Sequence, residues 1–187
     1  MSPGPSGAGP GPTGPAGLAG LAGSTGSVVV LRRAVRADLP ALVALLAADD
    51  LGATRDGIRS KADRTAYEQA FRAIDADPDQ FLLAAEADGQ VVGTLQLSFI
   101  PGLSRRGALR AQIESVRVSP AYRGQGLGLA IFTWAVGEAR RRGCALVQLT
   151  TDKTRTDAHR FYGRLGFTAS HEGLKLDLSD GNGSVSP

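Results

Sequence analysis

The stretch Arg123-Gly124-Gln125-Gly126-Leu127-Gly128 most constrains what this chain can fold into. It follows a run carrying Ile113, Val116 and Val118, which reads as a strand over Ala111 to Ser119. It precedes Leu127, Ile131, Trp134 and Ala135, which mark one face of a helix running to Arg142, with a basic triplet at its C-terminus and Gly143 as the stop. Glycines in such a turn let backbone N–H groups converge on an anion, and the following helix adds its positive end. An empty strand-to-helix connection has the same letters, so on the turn alone both readings stand. Two phosphate-binding alternatives fall behind. A P-loop needs lysine and serine or threonine after its last glycine, where Leu129-Ala130 stands. A dinucleotide fingerprint needs wider spacing before its third glycine, whereas Gly124, Gly126 and Gly128 alternate, late in the chain and outside a βαβ unit.

The 187 residues fit one domain, and a 42% apolar share supplies a core. Residues 1–27 hold no charge and consist mostly of glycine, proline, alanine and serine, so a disordered tail is expected there. Glycine at every third position from Gly11 to Gly26 is collagen-like spacing, too short for a triple helix. The folded domain is expected over 28–178 and a polar tail over 179–187. It begins with a strand at Val28 to Leu31, followed by Asp38 as a helix N-cap ahead of Leu39, Leu42, Val43 and Leu46. Tyr67, Ala70, Phe71 and Ile74 predict a second helix ending before Asp77-Pro78. Phe81 to Ala85 and Val91 to Ile100 read as strands joined by an Asp88-Gly89 hairpin turn. Pro101 to Arg110 reads as a loop. After the glycine turn and its helix come a buried strand at Cys144 to Leu149, a helical face of Ala158, Phe161, Tyr162 and Leu165 stopped by Gly166, and a terminal hairpin of Phe167 to Ser170 with Leu174 to Leu178. The fold class is α/β, a mixed and mostly antiparallel sheet covered by helices.

Composition narrows the function classes. One cysteine, Cys144, excludes an internal disulfide and a multi-cysteine zinc site. No apolar run reaches the ~18 residues of a membrane span and no basic leader opens the chain, so a cytoplasmic location without membrane attachment is expected. A net charge of +3 with only 5% aromatic residues gives no basic-aromatic interleaving, so no nucleic-acid partner is expected. A small polyanionic ligand suits this charge better.

Arg123, Gly126 and Gly128 match the acyl-CoA signature of the GNAT acyltransferase family: arginine or glutamine, two residues, glycine, one residue, then glycine or alanine. Ala158-His159-Arg160-Phe161-Tyr162-Gly163-Arg164-Leu165-Gly166-Phe167 resembles a second stretch of that family, with alanine four residues before tyrosine and a glycine-phenylalanine pair after it. The resemblance extends from about Val28 to Leu178 and includes the order of elements. It implies a single GNAT-type domain that uses acetyl-CoA as acyl donor, without a metal, and transfers the acetyl group directly to a primary amine. It implies that the CoA pyrophosphate meets Arg123, Gly124, Gln125, Gly126, Leu127, Gly128 and Leu129, and that the backbone of Val116, Arg117 and Val118 lines the pantetheine arm like an added strand. A homodimer is common among similar proteins.

The same resemblance places Tyr162 as the acid that protonates the leaving thiolate. Glu114 is the base candidate, because simple alternation sets it on the side of Val116 and Val118, where partial desolvation is expected to raise its pKa. Similar proteins commonly carry a bulge near here, which would shift that alternation by one, and an exposed edge glutamate is the plain alternative. The oxyanion donor is expected from a backbone N–H near Val116. Similar proteins often have asparagine where Arg155 stands, and this arginine either reaches the CoA phosphates or is solvated. His159 and His171 read as surface residues and assemble no metal site. The acceptor is expected to be a small-molecule amine, set by Asp49 to Tyr67 and Pro101 to Arg110. There Asp49, Asp50, Asp56 and Asp63 are able to attract a cation, and Arg105, Arg106 and Arg110 a carboxylate, unless these are solvated loop charges. An acyl-CoA-binding module without turnover and an acetyltransferase of protein or peptide amines are the alternatives.

Overall fold

The computed structural model describes residues 18–22, 28–48, 50–176 and 178, and the chain divides after Val147 into two units. Residues 1–17, 23–27 and 179–187, most of the expected tails, lie outside the described residues, as does Asp49. Within the segment read as a disordered tail, Leu18–Ala22 forms strand β1, paired antiparallel with β2 (Val28–Arg33). Its register with β2 sets Leu18 opposite Leu31 and Leu21 opposite Val29, with an irregularity between them.

The sheet continues through β3 (Gln80–Ala87), β4 (Gln90–Ile100), β5 (Arg110–Val118) and β6 (Leu146–Leu149), in that spatial order. Each neighbouring pair from β1 to β5 is antiparallel. The hairpin between β3 and β4 turns at Asp88 and Gly89, whose φ values of 49° and 77° are those of the tight turn that Asp-Gly favours.

Register divides the sheet into two faces. Phe81, Leu97 and Ile113 align across three strands, Leu83 and Leu95 across two, and all five are at most 1% exposed. This face meets α5 (Leu127–Arg141), with the Phe81 and Trp134 ring centroids 4.8 Å apart. Burying each such side chain contributes about 1.5–3 kcal/mol. Gly93 lies on this face because a Cβ there would stand 3.0 Å from Ile131 Cδ1 and 3.3 Å from the Arg117 carbonyl oxygen.

On the opposite face Ala84 packs with Leu39, Leu42 and Val43 of α1 (Leu39–Leu46) and Phe71 of α3 (Lys61–Ala76). A short α2 (Asp50–Arg55), which the apolar pattern does not signal, lies between these helices in the chain, and a single turn, α4 (Ser104–Gly107), interrupts the segment read as a loop between β4 and β5. The Ser60 hydroxyl accepts from Asp63 N–H, and the Asp63 carboxylate accepts from Ser60 N–H, a reciprocal cap that starts α3. Asp38 precedes α1 as expected but does not cap it with its side chain. Its carboxylate accepts from Val35 N–H at 2.7 Å and from Arg32 at 2.6 and 2.9 Å, while Arg32 also donates to Glu86. The Arg32 hydrogen bond holds the Asp38 carboxyl below the usual carboxylate range, outweighing burial.

Helix α5 ends where Gly143 adopts φ 76° and its N–H donates to Arg140, with Cys144 N–H donating to Ala139. Burial pushes the Glu138 carboxyl up, but hydrogen bonds from Arg141 and Arg142 hold it below its ordinary value. Arg142 also lies 3.9 Å over the Phe99 ring and donates to the Pro78 carbonyl, so this arginine ties the helix end to the sheet. The strand expected from Cys144 starts only at Leu146, and Cys144 is half-buried.

In the second unit α6 (Thr156–Arg164) ends at Gly166 as expected. The terminal hairpin expected after it is not formed: no strand occurs beyond α6 among the described residues, and Leu174 and Leu176 are exposed. Gly173 and the polar residues around it make no ladder to hold those leucines.

Candidate active site

After β5 the chain makes one tight turn at Pro120–Tyr122, extends at Arg123, and enters the left-handed region at Gly124 (φ 74°) and Gly126 (φ 84°). Gly126 is the N-cap of α5, with no side-chain cap and no acidic residue in the first turn. The first helical bond runs from Ala130 N–H to the Gly126 carbonyl, so Leu127, Gly128 and Leu129 begin the helix with N–H groups that have no carbonyl in it. A Cβ at Gly124 or Gly126 would meet no atom within 4 Å. The glycines are therefore required by backbone angle rather than by packing, and the space before the helix is open. Gln125 Nε2 donates to the Ala121 carbonyl at 2.7 Å and Arg123 Nε to the Val118 carbonyl at 3.3 Å, so both side chains fasten the turn. Gln125 Oε1 is buried without a hydrogen-bond partner among the described residues. Uncapped N–H groups, an open approach and a first helical turn without an acidic residue fit the pyrophosphate of an acyl-CoA.

Strand β5 is irregular before this turn. Glu114 pairs with Gln96 and Arg117 with Thr94, so Ser115 and Val116 together oppose Leu95, and Ser115 has φ 54°. This bulge overturns the simple alternation: Glu114 shares a face with Arg117, not with Val116 and Val118. Glu114 is exposed and has no ion pair or hydrogen bond among the described residues, so the desolvation expected of it is absent from this structure. Val116, Arg117 and Val118 are half-buried, and Arg117 Nη1 donates to the Val116 carbonyl at 3.0 Å.

Tyr162 belongs to the second unit. Phe167 N–H donates to the Tyr162 carbonyl and Gly166 N–H to that of Gly163, so the helix stop itself seats Phe167 edge-on against Tyr162, with centroids 6.1 Å apart. The spacing from tyrosine to the glycine-phenylalanine pair is thus the spacing of a helix stop. Arg155 is the N-cap of α6. His159 and His171 are exposed; His159 Nε2 is 3.1 Å from the Asp152 carbonyl and His171 Nδ1 is 2.8 Å from Ser170 Oγ.

A family model described as Acetyltransferase (GNAT) family matches residues 47–167. The chain belongs to the GNAT acetyltransferase family. It is 33% identical over 144 residues to the aminoalkylphosphonate N-acetyltransferase of Salmonella typhimurium, covering 77% of this chain and 88% of that one. It is 37% identical over 90 residues to the glucosamine 6-phosphate N-acetyltransferase of Trypanosoma brucei brucei, covering 48% of this chain and 59% of that one. A crystal structure named as a transcriptional regulator from Bacillus halodurans aligns with TM-score 0.77 and 46% identity over 80% of this chain and 99% of that one. The GNAT chain is an acetyl-CoA-dependent N-acyltransferase.

Within this GNAT domain, two of the acidic residues expected near the acceptor serve structure. Asp63 caps α3, and Asp56 accepts from the Tyr67 hydroxyl at 3.0 Å. A hollow of about 170 Å³ between α1 and α3, lined by Arg36, Leu39, Pro40, Ile58, Arg64 and Glu68, takes Ile58 and Arg64 from the segment expected to set the acceptor but none of the expected catalytic or acetyl-CoA-binding residues. Among the described residues no helix is long and apolar enough to cross a membrane.

Proposed function

We propose that the protein transfers the acetyl group of acetyl-CoA directly to the primary amine of a small molecule. The observation that carries this reading is the uncapped N-terminus of α5 behind Gly126, at the end of a strand whose bulge sets Glu114 on one face. The Salmonella and Trypanosoma relatives are named for small amines that carry a phosphonate or phosphate, which supports a small-molecule acceptor.

Bound acetyl-CoA supplies the thioester: the amine nitrogen attacks its acyl carbon, an N–C bond forms and the C–S bond breaks. The protein's residues handle the protons. Glu114, directly or through a water that its exposure admits, takes a proton from the ammonium so that the nitrogen has a free lone pair. The nitrogen loses a second proton as the amide forms. Tyr162 gives one to the departing sulfur, and the balance leaves one proton in solvent. The irregular backbone at Ser115 and Val116 offers N–H donors to the developing oxyanion.

A thiol-release assay with acetyl-CoA against amines, aminoglycosides, amino acids, polyamines and peptides tests this reading, with calorimetry of acetyl-CoA binding beside it. Release with a small amine supports it. Binding without release from any acceptor supports a module without turnover, and release with peptides alone moves the acceptor to protein amines.

A further inference from the structure

The face of β5 that carries Glu114 carries two arginines: Arg117, whose Nη1 donates to the Val116 carbonyl, and Arg110 at the far end of the strand. Register places Arg110 opposite Ile100, Gln112 opposite Ser98 and Glu114 opposite Gln96, so the three side chains form one row. Strand rise separates the Cα atoms of Arg110 and Glu114 by about 13 Å, a gap that two long side chains reduce to the length of a small molecule. Arg110 is half-buried and makes no ion pair or hydrogen bond among the described residues. Its guanidinium is therefore available to an anion, and its planar fork matches a bidentate oxyanion.

The loop ahead of Arg110 is shaped around it. The point where Gly102 lacks a Cβ is 3.3 Å from Arg110 Nη1 and 3.9 Å from Ser104 Oγ, so a side chain there would crowd the guanidinium, and both groups border the space that the glycine leaves. Beyond Ser104, Arg105, Arg106 and Gly107 adopt φ values of 53°, 61° and 77°, three successive residues in the left-handed region. For the two arginines this is strain of the kind that accumulates at ligand clamps. Residues 101–113 contain Arg105, Arg106 and Arg110 and no acidic residue, so the field of this loop is positive.

Resting on the reading of Glu114 as the amine-side residue, we infer that the acceptor is a small zwitterion whose anionic oxyacid group binds Arg110 and the Ser104 hydroxyl while its ammonium faces Glu114. Arg110 is then a specificity-determining residue that binds substrate and takes no part in bond making. Phosphonate, phosphate and carboxylate share the chemistry, and their order is measured by comparing 2-aminoethylphosphonate, O-phosphoethanolamine and β-alanine with uncharged propylamine.

The native protein should acetylate the best anionic amine with a kcat/KM about 10- to 100-fold above propylamine, the range of a hydrogen bond to a charged group. Arg110→Gln should abolish that advantage through KM and leave propylamine within about twofold, while Arg110→Lys restores part of it. Ethylphosphonate, which has no amine, should compete with the anionic acceptor in the native protein and not in Arg110→Gln. Equal use of charged and uncharged amines, or equal losses for both in Arg110→Gln with acetyl-CoA affinity intact, would overturn the inference while leaving amine acetylation standing. Failure to acetylate any amine despite acetyl-CoA binding would remove the underlying reading and this inference with it.

Discussion

Glu114 and Arg117 point to the same side of β5, although a step of three residues along a regular strand reverses the side. The extra residue is absorbed at Ser115, whose φ of 54° bends the strand where its ladder with β4 is interrupted. The bulge thus moves a carboxylate onto the face that α1 and α3 share, and leaves Val118 paired with Gly93 on the face of α5.

Replacing Ser115 tests whether this bend serves the reaction. A left-handed conformation costs a non-glycine residue about 1–2 kcal/mol, so Ser115→Gly should raise unfolding free energy by about 1 kcal/mol and keep acetyl transfer within a few-fold. Ser115→Val, β-branched and poorly suited to φ > 0, should lower stability by about 1–3 kcal/mol and reduce transfer sharply. Urea unfolding with a steady-state assay reads both, and a glycine variant less stable than the native protein would refute the strain argument.

Gly126 separates two demands, backbone angle and open space. With nothing within 4 Å of its absent Cβ, Gly126→Ala meets only the left-handed strain, about 1–2 kcal/mol. Gly126→Glu adds a carboxylate at the helix N-terminus, where it repels a pyrophosphate. Calorimetry should find acetyl-CoA affinity weakened in the alanine variant and abolished in the glutamate variant, with both chains still folded by circular dichroism. Retained binding in Gly126→Glu would place the cofactor elsewhere.

The elements that repeat at fixed periods were legible in the sequence: α3 from Tyr67, Ala70, Phe71 and Ile74, and the ends of α5 and α6 from Gly143 and Gly166. The bulge was not locatable, because serine carries no left-handed signal and alternation reads smoothly across it. The Arg32, Asp38 and Glu86 cluster was invisible for another reason, since Glu86 lies 54 residues from Arg32 and only the pairing of β2 with β3 joins them. Strand β1 escaped notice because two leucines in a glycine- and proline-rich stretch form no pattern until an edge strand pairs with them. Conversely, the alternation of Leu174, Leu176 and Leu178 predicts a strand that does not occur among the described residues, as periodicity without a partner makes no ladder.

The Arg32 and Asp38 pair gives stability a defined pH dependence. The folded-state pKa of Asp38 is depressed, so its contribution is present above the unfolded value near about 3.9 and is lost as pH falls through the lower folded value. Asp38→Asn should therefore cost about 1–3 kcal/mol at pH 7. The difference from the native protein should narrow as pH drops below about 4. Urea unfolding from pH 7 to pH 3 checks both, and a difference independent of pH would remove the ion pair as its cause.

Tyr162→Phe isolates the hydroxyl because the ring has its own structural task. Phe161 and Phe167 flank that ring edge-on at 5.6 and 6.1 Å, and the backbone bonds that end α6 at Gly166 do not involve the side chain. A phenylalanine keeps those contacts, so unfolding free energy should change by less than about 1 kcal/mol and acetyl-CoA affinity should stay within a few-fold. If the hydroxyl protonates the departing sulfur, kcat should fall by about 10²–10⁴-fold. The loss should shrink with acyl donors whose thiols are more acidic, since a better leaving group needs less help. Undiminished kcat in Tyr162→Phe would assign the residue to packing, and a uniform loss across leaving groups would move its role away from the thiolate.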